Sequence, residues 1–130
     1  MDEAMKKKLV QAAMTAAERA YAPYSKFRVG AALLDTNGKI YTGCNVENAS
    51  YGLTVCAERT ALVKAVSEGA APITCLTVVT LDAPGFCSPC GACRQVIHEL
   101  AKDALILLAD RNGTWEETTA DKILPGAFNL

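Results

Sequence analysis

Apolar residues recur at helical spacing in the first part of the chain. They stand three or four positions apart, at Met5, Leu9, Ala13, Ala16 and Ala20. This spacing gathers their side chains on one face of a helix, and a proline ends such a helix. The pattern therefore predicts a helix over residues 2–22, with Asp2 in position to cap its start and Pro23 at its end.

Segments rich in branched and aromatic residues alternate with turn residues over the rest of the chain. An Asn-Gly pair, a strong hairpin signal, separates the first two of these segments, and another separates the last two. The strands predicted in this way cover residues 27–34, 39–45, 73–81, 104–109 and 114–118.

Two further helices are predicted between these strands. The first covers residues 55–67, and Gly69 follows it as a typical C-terminal residue. Its apolar positions at helical spacing are Ala57, Ala61, Leu62 and Ala65. The second helix is predicted for about residues 90–101. We expect a polar loop over residues 47–54, and a short turn with an exposed end over residues 121–130.

The middle of the chain thus reads as strand, helix, strand, helix, strand. Right-handed crossovers place both helices on one face of the sheet. The N-termini of these helices then meet at one edge, where α/β sheets usually bind ligands. Since only a short turn joins the last two strands, we expect them to be antiparallel.

Composition and charge indicate a globular protein that acts on a small molecule. The 130 residues are 51% hydrophobic and 21% charged, as expected for one domain spanning residues 1–130. The formal net charge of −1 leaves no concentration of positive charge for a nucleic-acid polymer. No apolar stretch is long enough to span a membrane. The N-terminal residues lack the apolar core of a signal peptide, which predicts a cytoplasmic protein.

Three cysteines have the spacing of a metal site. Cys90 and Cys93 form a Cys-x-x-Cys pair at the start of one predicted helix, and Cys56 lies at the start of the other. In a reducing compartment such residues are thiols or metal ligands. Catalytic zinc sites use three protein ligands and leave the fourth position to water, whereas structural sites use four. The sequence therefore indicates a three-thiolate site for one Zn²⁺.

The remaining candidates for a fourth ligand do not fit. Cys87, Cys90 and Cys93 mimic part of an iron–sulfur sequence, but the further cysteine of that pattern is missing. None of the other candidates is at ligand spacing with Cys56, and we interpret them as packing or incidental residues. They are Cys44, Cys75, Cys87 and His98.

Glu58 adds an acid–base group to this site. It follows Cys56 by two residues, close enough to face the open position without binding the metal. A carboxylate there can take a proton from water whose pKa zinc lowers to about 7. Three thiolates on Zn²⁺ carry a net negative charge, and Arg59 and Arg94 are placed to offset it by hydrogen-bonding the sulfurs.

These residues match the signature of the zinc-dependent nucleobase deaminases. The signature is Cys-x-Glu followed by Pro-Cys-x-x-Cys, in which the glutamate is the general acid and base and not a ligand. Over nearly its full length the chain also resembles the small homotetrameric cytidine deaminases. The matching segments are residues 22–27, 29–32, 45–49, 56–61, 90–95 and 124–128.

The resemblance implies both a fold and a reaction. The fold is a three-layer α/β architecture with a five-stranded mixed sheet of order 2-1-3-4-5, its last two strands antiparallel and helices on both faces. The reaction is hydrolytic deamination of cytidine and 2′-deoxycytidine to the uridine products and ammonia, a step of pyrimidine salvage. The resemblance also implies one Zn²⁺ per subunit, with Cys56, Cys90 and Cys93 as its ligands and Glu58 as the catalytic residue.

Roles in substrate binding are implied in the same way. Phe27 would stack on the base, the Ala57 N–H would hold it, and Asn45 and Glu47 would bind the ribose 3′-hydroxyl. The positions that resemble residues reaching into a neighbouring subunit's site are Ala49, Tyr51 and Phe128. The resemblance therefore implies a homotetramer with its sites at subunit interfaces.

Three other interpretations of the cysteine motifs stay open on sequence alone. Blasticidin S deaminase is similar in length and zinc motif, although we do not expect it to carry the set Phe27, Asn45 and Glu47. A structural zinc module would need a closed four-ligand site. A thiol redox protein would use the Cys90 and Cys93 pair and would leave Cys56 without a role.

Overall fold

The structure is a computed structural model that describes residues 1–130. Its helices are α1 (Glu3–Ala17), α2 (Ala57–Ser67), α3 (Gly91–Ala101) and α4 (Ala120–Ile123). Its strands are β1 (Val29–Asp35), β2 (Ile40–Cys44), β3 (Ile73–Thr80), β4 (Leu105–Ala109) and β5 (Trp115–Thr119), and a single 3-10 turn covers Tyr51–Leu53. Every predicted helix and strand is present. Neither α4 nor the 3-10 turn was predicted.

Helix α1 ends five residues before its predicted end at residue 22. The chain leaves the helix because the backbone of Tyr21 pairs with the segment after β2. The Tyr21 N–H donates to Asn45 O at 3.0 Å, and the Glu47 N–H donates to Tyr21 O at 2.8 Å. This pairing places the segment around Pro23 directly beside Glu47.

The sheet has the expected order, β2-β1-β3-β4-β5. Strands β3 and β4 are parallel and every other neighbouring pair is antiparallel, including β4 with β5. The connections through α2 and α3 are therefore the two crossovers that the sequence predicted.

Side chains of β1 alternate between two hydrophobic cores, one on each face of the sheet. Ala31 and Leu33 pack in the core that α2 and α3 cover, and Ala32 and Leu34 pack in the core that α1 covers. Helices thus lie on both faces, which gives the predicted three layers. None of these helices combines the length and the apolar character that a bilayer crossing requires.

A glycine lets α2 lie close to the edge strand. A Cβ atom on Gly43 of β2 would lie 2.5 Å from Ala61 N and 2.9 Å from Ala57 O. Real Cβ atoms do not approach backbone so closely, so any larger residue would push α2 away. The position of α2 matters because its first turn carries three of the predicted site residues, Ala57, Glu58 and Arg59.

Candidate active site

Three cysteine sulfurs meet where α2 and α3 begin. Cys56 occupies the N-cap position of α2, Cys90 occupies the N-cap position of α3, and Cys93 lies in the first turn of α3. Their Sγ atoms all lie within 4.8 Å of one another. A tetrahedral zinc ion with Zn–S bonds of about 2.3 Å holds its sulfurs about 3.8 Å apart. The three thiols therefore fit one zinc ion, as the sequence predicted.

The other cysteines and the histidine do not belong to this group. Cys87 lines the neighbouring cavity, and burial raises the pKa of its thiol to about 12. Cys75 is buried in the core under α1, where burial likewise raises its pKa to about 12. His98 contacts Asn129 Oδ1 through Nε2 at 2.9 Å. Half-buried Cys44 ends strand β2. The geometry thus leaves three thiols to hold a metal.

The surroundings of Cys56 favour the thiolate form of its side chain. The pKa of Cys56 is lowered, first by the neighbouring Cys93 thiol and then by Arg59. The pKa of Cys93 is raised, because the Cys56 sulfur lies close to it and because the thiol is buried. Since thiolates are the form that binds zinc, these surroundings favour Cys56 as a ligand.

Glu58 lies beside the sulfurs in a cavity of about 200 Å³. The cavity walls include Phe27, Asn45, Cys56, Ala57 and Cys90. Only 3% of Glu58 is exposed, and this burial raises the pKa of its carboxyl group to about 7. A carboxyl group with such a pKa can both accept and return a proton near neutral pH.

Arg59 lies where the charge argument expects it. Its Nη2 is 3.4 Å from Cys56 Sγ and 3.4 Å from Thr54 O. Its Nε is buried without a hydrogen-bond partner. The guanidinium therefore places a positive charge directly against the thiolate.

Arg94 has different partners from those expected. Its Nε donates to Pro89 O, its Nη1 to Ile123 O and its Nη2 to Ser88 Oγ, all at 2.8 to 2.9 Å. The expected contact with the sulfurs is not among its hydrogen bonds. Arg94 instead ties the loop before α3 to the end of α4, because three oxygen acceptors surround its guanidinium.

The side chains of Asn45 and Glu47 are both fixed by hydrogen bonds to backbone groups of the same chain. Asn45 Oδ1 accepts from Val29 N at 2.9 Å, and Asn45 Nδ2 donates to Phe27 O at 2.8 Å. Glu47 accepts hydrogen bonds from the backbone of Tyr24 and Ser25. Asn45 lines the cavity with Glu58, whereas Glu47 lines a second cavity of about 420 Å³.

The two cavities adjoin each other. Thr54 lines both of them. The second cavity is also lined by Tyr24, Ser25 and Tyr51, and the rings of Tyr24 and Tyr51 meet edge to face with centroids 6.1 Å apart. The sequence had not singled out Tyr24, Ser25 or Thr54 as separate site residues. The only local signal for any of the three was a serine near a turn. Such a serine does not indicate which residue its side chain will contact.

The three residues that the resemblance assigns to a neighbouring subunit's site are all exposed. Tyr51 is 76% exposed and Phe128 is 68% exposed, and Ala49 is exposed as well. The tail that carries Phe128 is fastened to α3, because Gln95 Nε2 donates to Phe128 O at 3.1 Å. Phe128 is therefore presented at the surface by an ordered segment.

Comparison with known proteins gives consistent matches. Residues 3–109 match the family model described as the cytidine and deoxycytidylate deaminase zinc-binding region. A cytidine deaminase of Sporosarcina psychrophila is 54% identical over 123 residues, which cover 94% of this chain and 90% of that protein. A cytidine deaminase of Halalkalibacterium halodurans is 51% identical over 121 residues, covering 92% of this chain and 91% of that protein.

Solved structures agree with these sequence matches. The crystal structure of cytidine deaminase from Burkholderia pseudomallei superimposes with a TM-score of 0.90 at 47% identity, covering 98% of this chain and 100% of that one. Cytidine deaminase from Mycobacterium tuberculosis superimposes with a TM-score of 0.84 at 40% identity, covering 100% of this chain and 99% of that one.

Proposed function

This chain belongs to the cytidine and deoxycytidylate deaminase family, and we infer from that premise that it hydrolyses cytidine to uridine and ammonia. It is a zinc-dependent enzyme. The observation that carries this conclusion is the meeting of three cysteine sulfurs beside a cavity that the buried Glu58 lines together with Cys56 and Cys90. We extend the proposal to 2′-deoxycytidine, because the sugar contacts proposed below use only the 3′-hydroxyl.

Glu58 is the proposed catalytic residue. When zinc is bound by Cys56, Cys90 and Cys93, it supplies Lewis-acid activation of the attacking water. Glu58 accepts a proton from that water and delivers it to N3 of the base as C4 is attacked. It then takes the proton of the new hydroxyl on C4 and delivers it to the amino group, which leaves as ammonia. One water is consumed and one ammonia is released, so a single carboxylate serves every proton transfer. Burial in the cavity keeps this group away from bulk solvent.

The two adjoining cavities suit the two halves of a nucleoside. We place the base beside Glu58, with Phe27 stacked on it and the Ala57 N–H holding it. The sugar then lies toward Glu47, whose carboxylate, with Asn45, would receive the 3′-hydroxyl. A phosphate at that position would meet the negative charge of Glu47, which favours free nucleosides over polynucleotides as substrates.

We further propose that the active form is a homotetramer, as the resemblance implies. Ala49, Tyr51 and Phe128 are exposed in one chain and would complete the sites of neighbouring subunits. Sedimentation at several protein concentrations tests this, and a monomer in the active fraction would contradict it. We propose in addition that residues 1–130 act as one domain, that the protein is cytoplasmic, and that it serves pyrimidine salvage.

The test of the reaction is an absorbance assay combined with metal analysis. Cytidine and 2′-deoxycytidine should be converted with release of ammonia, while cytidine 3′-monophosphate, adenosine and blasticidin S should not. Zinc should be present at one per chain, and a strong chelator should abolish turnover. Zinc without turnover of any nucleoside would support a structural module instead. Turnover confined to blasticidin S would assign the enzyme to that substrate.

A further inference from the structure

One serine hydroxyl joins the two residues that we expect to hold the two halves of the substrate. Ser25 Oγ donates to Glu47 Oε2, and the same Oγ accepts from Phe27 N at 3.0 Å. Glu47 lines the cavity proposed for the sugar, and Phe27 lines the cavity proposed for the base. The spacing between these two side chains is therefore set through Ser25.

The backbone of the same turn adds two more hydrogen bonds to the carboxylate. Glu47 Oε1 accepts from Tyr24 N at 3.0 Å and from Ser25 N at 3.2 Å. The next residue, Lys26, has a φ of 60°, which residues with a Cβ atom rarely adopt. The conformation of Lys26 is what turns the chain so that Ser25 faces Glu47 and Phe27 follows at the cavity wall.

The hydrogen bonds also fix the charge of Glu47. Its pKa is lowered, first of all by the hydroxyl of Ser25. An ionised carboxylate only accepts hydrogen bonds and has about four lone-pair positions. Three donors from the turn occupy three of these lone-pair positions, and the carboxylate still faces the cavity that Glu47 lines. What it can receive there is a further donor, such as a sugar hydroxyl.

We propose that Ser25 is a positioning residue that aims the Glu47 carboxylate at the 3′-hydroxyl of the nucleoside. This proposal rests on the proposed function. It assigns to Ser25 a share of the discrimination between nucleosides with and without that hydroxyl, although Ser25 itself does not touch the reacting atoms. Loss of the Ser25 hydroxyl leaves Glu47 with its two backbone donors only, and the carboxylate is then free to turn.

The test compares Ser25→Ala with the wild type on 2′-deoxycytidine and 3′-deoxycytidine. These substrates differ only in which sugar hydroxyl is missing. We expect Ser25→Ala to lower kcat/KM for 2′-deoxycytidine by roughly 10- to 100-fold, mainly through KM, as for loss of a hydrogen bond to a charged group. For 3′-deoxycytidine, which lacks the hydroxyl that Glu47 receives, only the lost acceptor for Phe27 N remains, and we expect a loss in kcat/KM under about threefold. Ser25→Thr keeps the hydroxyl and should restore discrimination.

Binding of the products gives a readout without turnover. Calorimetry with 2′-deoxyuridine and 3′-deoxyuridine should show the same selective loss for Ser25→Ala. Equal losses for both sugars, or no loss for either, would overturn the proposal. Should Ser25→Ala fail to fold, Ser25→Cys keeps the size of the side chain and has a weaker donor. It is judged by the same comparison, the loss with the 2′-deoxy compound relative to the loss with the 3′-deoxy compound. Failure of the wild type to deaminate cytidine would instead reject the proposed function. The relative affinity for 2′-deoxyuridine and 3′-deoxyuridine would still decide the role of Ser25.

Discussion

The guanidinium of Arg59 lies 3.4 Å from the sulfur of Cys56, one helical turn earlier in the chain. The same guanidinium is hydrogen-bonded to Thr54 O, so the loop before α2 holds it in place. A positive charge in this position favours the Cys56 thiolate and reduces the excess negative charge of three thiolates around one metal ion. Arg59 thus joins the metal ligand Cys56 to the loop that leads into α2.

Replacing Arg59 with alanine should weaken the metal site. We expect zinc affinity or activity to fall by about 10- to 100-fold, the usual effect of losing a residue that hydrogen-bonds a metal ligand. Competition with a chromophoric chelator measures the affinity. Arg111→Ala is the matched control, because Arg111 lies in the exposed turn between β4 and β5. Equal zinc affinity and equal turnover in both variants would contradict the role of Arg59.

Replacing Glu58 with glutamine should separate metal binding from chemistry. The change keeps the size of the side chain and removes its ability to carry a proton. We expect turnover to fall by about 10² to 10⁴-fold, while zinc stays at one per chain. Loss of zinc together with activity would show a structural role, and turnover within tenfold of the wild type would remove Glu58 from the mechanism.

The stability of the same variant supplies an independent check. Glu58 is buried, and burial of a carboxyl group costs free energy that is partly relieved when the group is neutral. The free energy of unfolding of Glu58→Gln should therefore equal or exceed that of the wild type. Urea unfolding of both proteins at pH 7.5, roughly the upper end of the range in which proteins are most stable, provides the comparison.

Gly43→Ala should displace α2. The new Cβ would lie 2.5 Å from Ala61 N and 2.9 Å from Ala57 O, and backbone atoms cannot rotate aside. Overpacking of this kind costs about 1 to 3 kcal/mol, and we expect the upper part of that range. Gly91→Ala is the control, because nothing lies within 4 Å of its added Cβ. Urea unfolding should show a large loss for Gly43→Ala and little or no loss for Gly91→Ala.

Sequence patterns predicted the parts of this fold that depend on local or repeating features. The apolar faces of α1 and α2 are visible in the sequence, because burial imposes a fixed period on each helix. The meeting of Cys56 with Cys90 and Cys93 also followed from topology, since right-handed crossovers bring the two helix starts to one edge.

Contacts between distant segments could not be predicted in this way. The end of α1 depends on the pairing of Tyr21 with Asn45 and Glu47, and no local signal reports such a pairing. No local signal reports the contact of Arg94 with Ile123 O either, because Ile123 lies in α4. The four-residue helix α4 is too short to show a period.

Asp82 provides a prediction about acid stability. Its Oδ2 accepts from Arg28 N at 2.7 Å and from Arg28 Nε at 3.0 Å, and its Oδ1 accepts from Arg28 Nη2 at 2.9 Å. Chiefly through the side-chain hydrogen bonds from Arg28, the pKa of Asp82 falls to about 2 from its ordinary value of 3.8. Because the folded pKa is the lower one, the contact stabilises the fold above the ordinary value. That stabilisation is lost as pH falls from about 4 to about 2.

Asp82→Asn should therefore remove a pH-dependent part of the stability. The wild type should be more stable than the variant at pH 7, and the difference in free energy of unfolding should shrink as pH falls from about 4 toward about 2, where Asp82 becomes protonated. Urea unfolding at steps of one pH unit measures this difference. Asp103→Asn, at an exposed position after α3, is the control and should follow the wild type. A difference between the wild type and Asp82→Asn that stays constant down to pH 2 would show that Arg28 does not hold the Asp82 carboxylate in its ionised form.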